Sequence, residues 1–463
     1  MRQPIAILCT LVLIFTVGLC WTHAAVNQQR DQVVLTETTL EGDKAASDGL
    51  TVTAINQYVH RLTWHTTLTT GAQNHTTTTF TTFNDTPDYG AAPTEYSGIN
   101  LEYHFSTVLD TTTPPEQLEP IERVYRELFD ETPQGRESEK VIRIRDYYDY
   151  YPLILSIELP AFRMYAFEGD VLPTDETEAA ILTHYRTFFR LPVLEDEYLE
   201  ISVRKGPSNA IGVGSGNTID SDWFFCRTLT ELTDDAMYFL FDAHSKEGKL
   251  VDTSLIPGGF GIYRQPYGYD PTTKENTIDP TELSTVFTLD PNIEPQALFY
   301  NNAYEQLQLL TVENGQIMLY IIDGATHHLL QKIAVGSLPE NHGIWKNVFH
   351  DDYIVITTSD ERIIVLAADD SGTFSLRFSL QCDMESPIGQ IKLNFADTAW
   401  NGKQLAMVGH DGESADFLLA VVDASGIRYC GKYKSSLTTG NEGAYRYHVH
   451  PANEIPLTVD WND

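Results

Sequence analysis

Past Trp223 the chain reads as a succession of apolar runs of strand length, each ended by a cluster of turn residues. In "LQLLTVENGQIMLYIIDGATHHLLQKIAVG" the turns fall at "ENG" and "DGAT"; in "DYIVITTSDERIIVLAADDSGTFSLRFSL" they fall at "SDER" and "DDSG"; in "KQLAMVGHDGESADFLLAVVDASGIRYCGKY" they fall at "HDGESA" and "DASG". The first half is also strand-like. The Thr-rich stretch "LTWHTTLTTGAQNHTTTTFTTF" interleaves Thr with Trp64, Leu68, Phe80 and Phe83, which predicts a hairpin turning near Gly71 to Asn74. Two segments follow a helical period instead. "PPEQLEPIERVYRELF" sets Leu118, Ile121, Tyr125 and Leu128 on one face behind Pro114 and Pro115, and "PTDETEAAILTHYRTFFRLP" sets Ile181, Leu182, Tyr185 and Phe189 on one stripe before Pro192. Between them, "KVIRIRDYYDYYPLILSIELP" returns to strand.

The strand phrases repeat. An Asp closes a middle strand at Asp323, Asp369 and Asp423, 46 and then 54 residues apart, close to the length of a four-stranded unit in a ring of stacked sheets. An earlier copy, "AMYFLFDAHSKEGKLVDT", is marked by Asp242, and the longer gap after it implies an insertion at "YRQPYGYDPTTKENTIDPTE". One twisted four-stranded sheet cannot cover both of its apolar faces, so it must stack on copies of itself. The marker Asp has a structural use, accepting backbone N–H groups in the turn.

The strand, Asp, small turn, strand units between Ala236 and Tyr433 resemble quinoprotein-like β-propeller repeats of the form "lyalDa.tG.l". The resemblance implies an all-β fold, a β-propeller of about seven four-stranded blades (six to eight on length), with the two helices as insertions in the N-terminal half. The copies lack the Trp that closes the repeats of the enzymes, so no quinone cofactor, and no other cofactor, is expected.

The N-terminus adds an address. Arg2 precedes an unbroken apolar run from Ile5 to Trp21, which predicts a signal peptide or an N-terminal membrane anchor over residues 1–24, with Thr22 and Ala24 placing a cut before Ala25. "VGLC" resembles a lipobox ending at Cys20, but Leu19 stands where that pattern has a small residue, so no lipidation is expected. Residues 25–49 read as a polar linker and residues 50–463 as the propeller domain. The triplets "NHT" and "NDT" match the glycosylation pattern of secreted chains.

Charge and chemistry narrow the function. A net charge of −35 spread along the chain repels phosphate backbones, which argues against nucleic acid as a partner. Outside the export segment, Cys226, Cys382 and Cys430 lack the spacing of a disulfide framework or a zinc site and read as buried small side chains; a Cys382–Cys430 bridge is the alternative. "GPSNAIGVGSGNT", Gly206 to Thr218, has no Lys-Ser/Thr ending and reads as an inter-strand loop. His448 and His450 with Glu454 could hold a metal, though exposed histidines are the plainer account, and adjacent His327 and His328 cannot share a strand face. The Tyr147 to Pro152 cluster, "YYDYYP", suits either ligand stacking or packing between elements. No G-x-S-x-G elbow is present. No catalytic, metal-binding or lipidated residue is therefore assigned, and the ligand-binding residues are left open. The expectation is a monomeric, non-enzymatic, extracytoplasmic binding or sensor domain for a protein, peptide or glycan, in contact with a membrane through its N-terminal segment alone. The alternatives are a secreted glycan hydrolase with paired carboxylates in the propeller funnel and a structural protein of envelope assembly.

Overall fold

A computed structural model describes residues 15–21, 33–58, 62–82, 98–103, 114, 118–159, 162–166, 175–206, 211–217, 224–245, 251–272, 275–383, 386, 388–389, 391, 395–411, 415–439, 449–451 and 457–462. Within the N-terminal apolar run, 15–21 are helical. Among the described residues, no helix is long and apolar enough to cross a membrane. The chain divides into two compact units, one formed by residues 1–92 with 339–463 and the other by residues 93–338.

Among the described residues, the first unit holds three antiparallel sheets. One is the meander Ile344–Phe349, Tyr353–Thr358, Arg362–Ala368 and Phe374–Gln381; a second is Phe395–Trp400, Leu405–His410, Phe417–Asp423 and Gly426–Ser435. The second sheet is apolar on both faces because successive side chains point in opposite directions. Met407, Ala420 and Cys430 pack toward Val355 and Val365, while Val408, Leu419 and Val421 pack toward Val52, Leu68 and Val459. That is why its strands read as unbroken apolar runs. The third sheet joins chain ends: Leu50–Tyr58 pairs with Leu62–Thr69 on one side and with Thr458–Trp461 and Val449–Pro451 on the other. The expected hairpin is present, with Leu62–Thr69 paired to His75–Thr82 around Gly71 to Asn74.

One departure lies at Leu35–Gly42. The polar composition predicts a tether here, yet these residues form a strand on the outer edge of the second sheet, in register with Gly426–Ser435, and Lys44–Ser47 makes a turn of 3-10 helix. An edge strand needs one buried face at most, so mostly polar, exposed side chains are compatible with it.

In the second unit, the meanders Glu294–Asn301, Gln306–Glu313, Gln316–Asp323, Leu329–Ser337 and Phe224–Leu232, Ala236–Ser245, Gly261–Pro266, Ser284–Thr288 share a core of Leu240, Ile262, Leu307, Leu309 and Ile322. The other face of the second meander, with Met237, Phe239, Phe241 and Tyr263, belongs to the same core as the helix Glu176–Phe188, whose Tyr185 and Phe188 meet Phe239 and Tyr263. Both helices form as the periodicity predicts. Pro120–Glu131 buries Ile121, Val124, Tyr125 and Leu128, and Glu176–Phe188 buries Ile181, Leu182, Tyr185 and Phe188. Asp175 caps the latter, its Oδ1 accepting the Thr177 and Glu178 N–H groups at 2.8 and 3.1 Å.

The remaining strands of this unit depart from the expected repeat of four-stranded meanders. Among the described residues, apart from a two-stranded hairpin, they form two three-stranded sheets of interleaved order: Gly98–Tyr103, Leu153–Leu159, Phe162–Ala166, and Glu137–Arg143, Tyr198–Lys205, Ile211–Asn217. The helices account for this, since each covers apolar sheet surface that a fourth strand or a neighbouring sheet would otherwise bury. Ile211–Asn217 also corrects the loop expected over Gly206 to Thr218. It is a strand whose glycines admit close neighbours: a Cβ on Gly214 would stand 2.7 Å from Ser202 Oγ, and its carbonyl accepts the Tyr125 hydroxyl at 3.2 Å.

Candidate functional site

The marker aspartates act as turn anchors. Asp323 Oδ1 accepts the Thr326 hydroxyl at 2.7 Å and the Thr326 and Ala325 N–H groups at 2.6 and 3.2 Å. Asp369 accepts the Ser371 hydroxyl at 2.6 Å and the Ser371 and Thr373 N–H groups at 2.9 and 3.1 Å, and Asp423 accepts the Ser425 N–H at 2.8 Å. These bonds, the Thr326 and Ser371 hydroxyls first, hold the carboxyls of Asp323 and Asp369 below the usual carboxylate range.

Asp242 is different. The other three end or directly follow the third strand of their sheets, but Asp242 lies near the end of the second strand, Ala236–Ser245. Its phrase looks like the others because any strand buried on both faces is an apolar run. The gap that follows holds residues 246–260 and a small hairpin, Gly268–Asp270 with Glu275–Thr277.

That position makes Asp242 part of a site that sequence reading missed. Strands Phe224–Leu232 and Ala236–Ser245 pair so that Phe225 faces His244 and Arg227 faces Asp242. Cross-strand partners and residues two apart share a face, so these four side chains form a square on one side of the hairpin. The Phe225 and His244 rings lie 5.2 Å apart, His244 Nδ1 is 3.3 Å from Asp242 Oδ1, and Arg227 Nη2 donates to the Pro295 carbonyl at 2.6 Å. Two cavities adjoin the square. A cavity of about 280 Å³ is lined by Asp242, His244, Phe260, Asn292 and Glu294 among others. A larger cleft of about 530 Å³ runs between Gly98–Tyr103 and the edge of Phe224–Leu232, with Asn100, Glu102, Tyr103, Phe225, Arg227 and Thr228 in its walls. Asn100 Nδ2 donates to Glu102 Oε1 at 2.6 Å, and Phe225 is 49% exposed. The signal available in the sequence was the i, i+2 placement of aromatic, basic, acidic and His residues on two strands flanking "TDD".

Cys226 also lines the cleft, but burial, then the nearby Asp242 and Glu102 carboxylates, push its thiol well above the ordinary range, which removes it as a nucleophile at neutral pH. Burial likewise raises Cys430, to about 12. Cys382 and Cys430 are buried and free, so the alternative bridge does not form.

The other sequence candidates separate. Tyr151 of "YYDYYP" is core: its ring stacks on Phe224 at 4.4 Å and its hydroxyl binds Glu197. Tyr147 and Tyr150 of the same cluster are exposed, with Arg190 5.6 Å over the Tyr150 ring. His327 adopts a left-handed φ of 57° and packs on Tyr238, 5.9 Å between rings; burial, then Arg264, lower its pKa. His328 contributes its carbonyl to the Asp323 N–H. His448 and Glu454 lie outside the described residues, while His450 pairs with Gln57 through the backbone. Among the described residues, no group of three or more His, Cys, Asp or Glu is placed to hold a metal.

No protein-family model matches the chain, and no curated protein matches it. Solved structures similar to it include several β-propellers. The described sheets resemble blades of that fold. The Swd1 β-propeller domain of Myceliophteria thermophila aligns at 10% identity and a TM-score of 0.25, covering 60% of this chain and 88% of that one. Hsv2p of Kluyveromyces lactis aligns at 9% and 0.26, covering 58% and 74%. A periplasmic gluconolactonase of Pseudomonas aeruginosa aligns at 12% and 0.26, covering 53% and 78%. Likenesses this distant carry no argument about activity.

Proposed function

We propose that the chain is an exported binding module of β-propeller type, held at a membrane by its N-terminal apolar segment, which takes a protein, peptide or glycan into the cleft beside Phe224–Leu232. One observation carries the reading. The cleft offers an exposed ring, an amide, a carboxylate and a guanidinium, a set suited to orienting a ligand, while the thiol in its wall is held protonated. The apolar run from Ile5 to Trp21 supports the address.

The test is binding without turnover. Full-length protein in detergent, titrated with short peptides and oligosaccharides, is expected to bind one class saturably and return it unchanged, with Arg227→Ala weakening binding about tenfold. Steady product formation overturns the reading.

A further inference from the structure

We infer that the larger cleft is a subsite for an uncharged sugar unit, stacked on Phe225 and hydrogen-bonded through Asn100, Glu102 and Arg227. The inference rests on the proposed binding role and names its ligand class.

A pyranose ring presents one apolar C–H face and a rim of hydroxyls that each donate and accept. Its complement is a flat apolar ring beside planar groups with paired donors and acceptors. The cleft has these elements. Phe225 keeps half of its surface exposed, and its position is set by the cross-strand His244 ring 5.2 Å away. Asn100 and Glu102 stand two apart on one strand, and the 2.6 Å bond between them fixes both planes. Arg227 is anchored by one nitrogen to the Pro295 carbonyl, which leaves its fork oriented. A volume of about 530 Å³ suits a small ligand.

Two other ligand classes fit less well. Glu102 in the cleft and Asp242 and Glu294 beside it outnumber Arg227, and the whole chain carries −35, so an anionic ligand meets a repulsive field. An extended peptide would dock by adding a strand to the open edge of Gly98–Tyr103. That edge is occupied: the Leu101 N–H and C=O are both bound by the Thr228 hydroxyl, at 2.9 and 3.1 Å, and the Ile99 N–H by Thr230 at 3.3 Å.

The experiment is calorimetric titration of full-length protein in detergent with cellotetraose, maltotetraose and chitotetraose, and with a basic Lys-Gly decapeptide, using the native chain, Phe225→Ala and Phe225→Trp. At least one tetrasaccharide is expected to bind, with affinity about tenfold lower in Phe225→Ala and retained in Phe225→Trp, thermal unfolding being unchanged in both. Failure of all three saccharides to bind, or equal binding by Phe225→Ala, overturns the inference. Peptide binding that Phe225→Ala abolishes overturns the sugar assignment and leaves the binding module standing; conversion of a saccharide to product overturns the binding module itself.

Discussion

The Thr228 hydroxyl takes the place of a neighbouring strand at Leu101, accepting its N–H at 2.9 Å and donating to its C=O at 3.1 Å. Leu101 is fully buried, and a buried peptide group without partners is costly. A single side chain thus closes the sheet edge and packs two sheets of the second unit against each other.

Thr228→Val keeps the shape and removes the hydroxyl. It is expected to destabilise the chain by about 1–3 kcal/mol, the desolvation penalty of the stranded groups, and Thr228→Ser is expected to recover most of that. Urea midpoints of the three proteins measure it; equal midpoints for Thr228→Val and the native chain would refute the assignment.

Glu37 locks the edge strand Leu35–Gly42 in place. Its carboxylate accepts Lys44 Nζ at 2.6 Å, Asn74 Nδ2 at 2.7 Å and the Tyr429 hydroxyl at 2.9 Å. Burial pushes its pKa up, but the bonds from Lys44, Tyr429 and Asn74 together outweigh burial and leave it lowered. A depressed folded pKa means stability that is present above the unfolded value of 4.5 and lost as pH falls through the folded one. Glu37→Gln is therefore expected to cost about 1–3 kcal/mol at pH 7, with the gap to the native chain closing in acid. A gap that does not narrow as the pH falls below 4.5 would sink this account. The same bonds tie up Asn74, the first residue of "NHT", in the folded chain.

Glu231 has the opposite sign. Burial raises its carboxyl to about 7, against a bond from the Tyr300 backbone N–H. Between 4.5 and about 7 the folded chain keeps a proton that the unfolded chain has released. Its contribution is thus complete below 4.5, declines as pH rises to about 7, and is absent above that. Glu231→Gln is expected to match the native chain at pH 4.5 and exceed it at pH 8, read as a difference in urea midpoints. A pH-independent difference would refute the raised pKa.

Much of this architecture was legible from local pattern. The strands past Trp223, the hairpin around Gly71 to Asn74, both helices and the anchoring of turns by Asp323, Asp369 and Asp423 follow from hydrophobic period and turn chemistry, which act over a few residues. Asp242 was misplaced in its sheet because an apolar run looks alike in the second and third strands. Long-range pairing left no such mark: Val34 N–H meets Ser436 Oγ across 402 positions, and Leu35–Gly42 looked like a tether because backbone amides pair with any strand of fitting register, whatever its side chains. The square of Phe225, Arg227, Asp242 and His244 is of the same kind. Each residue is ordinary in its own strand, and the hairpin register that faces 225 to 244 and 227 to 242 turns them into a site.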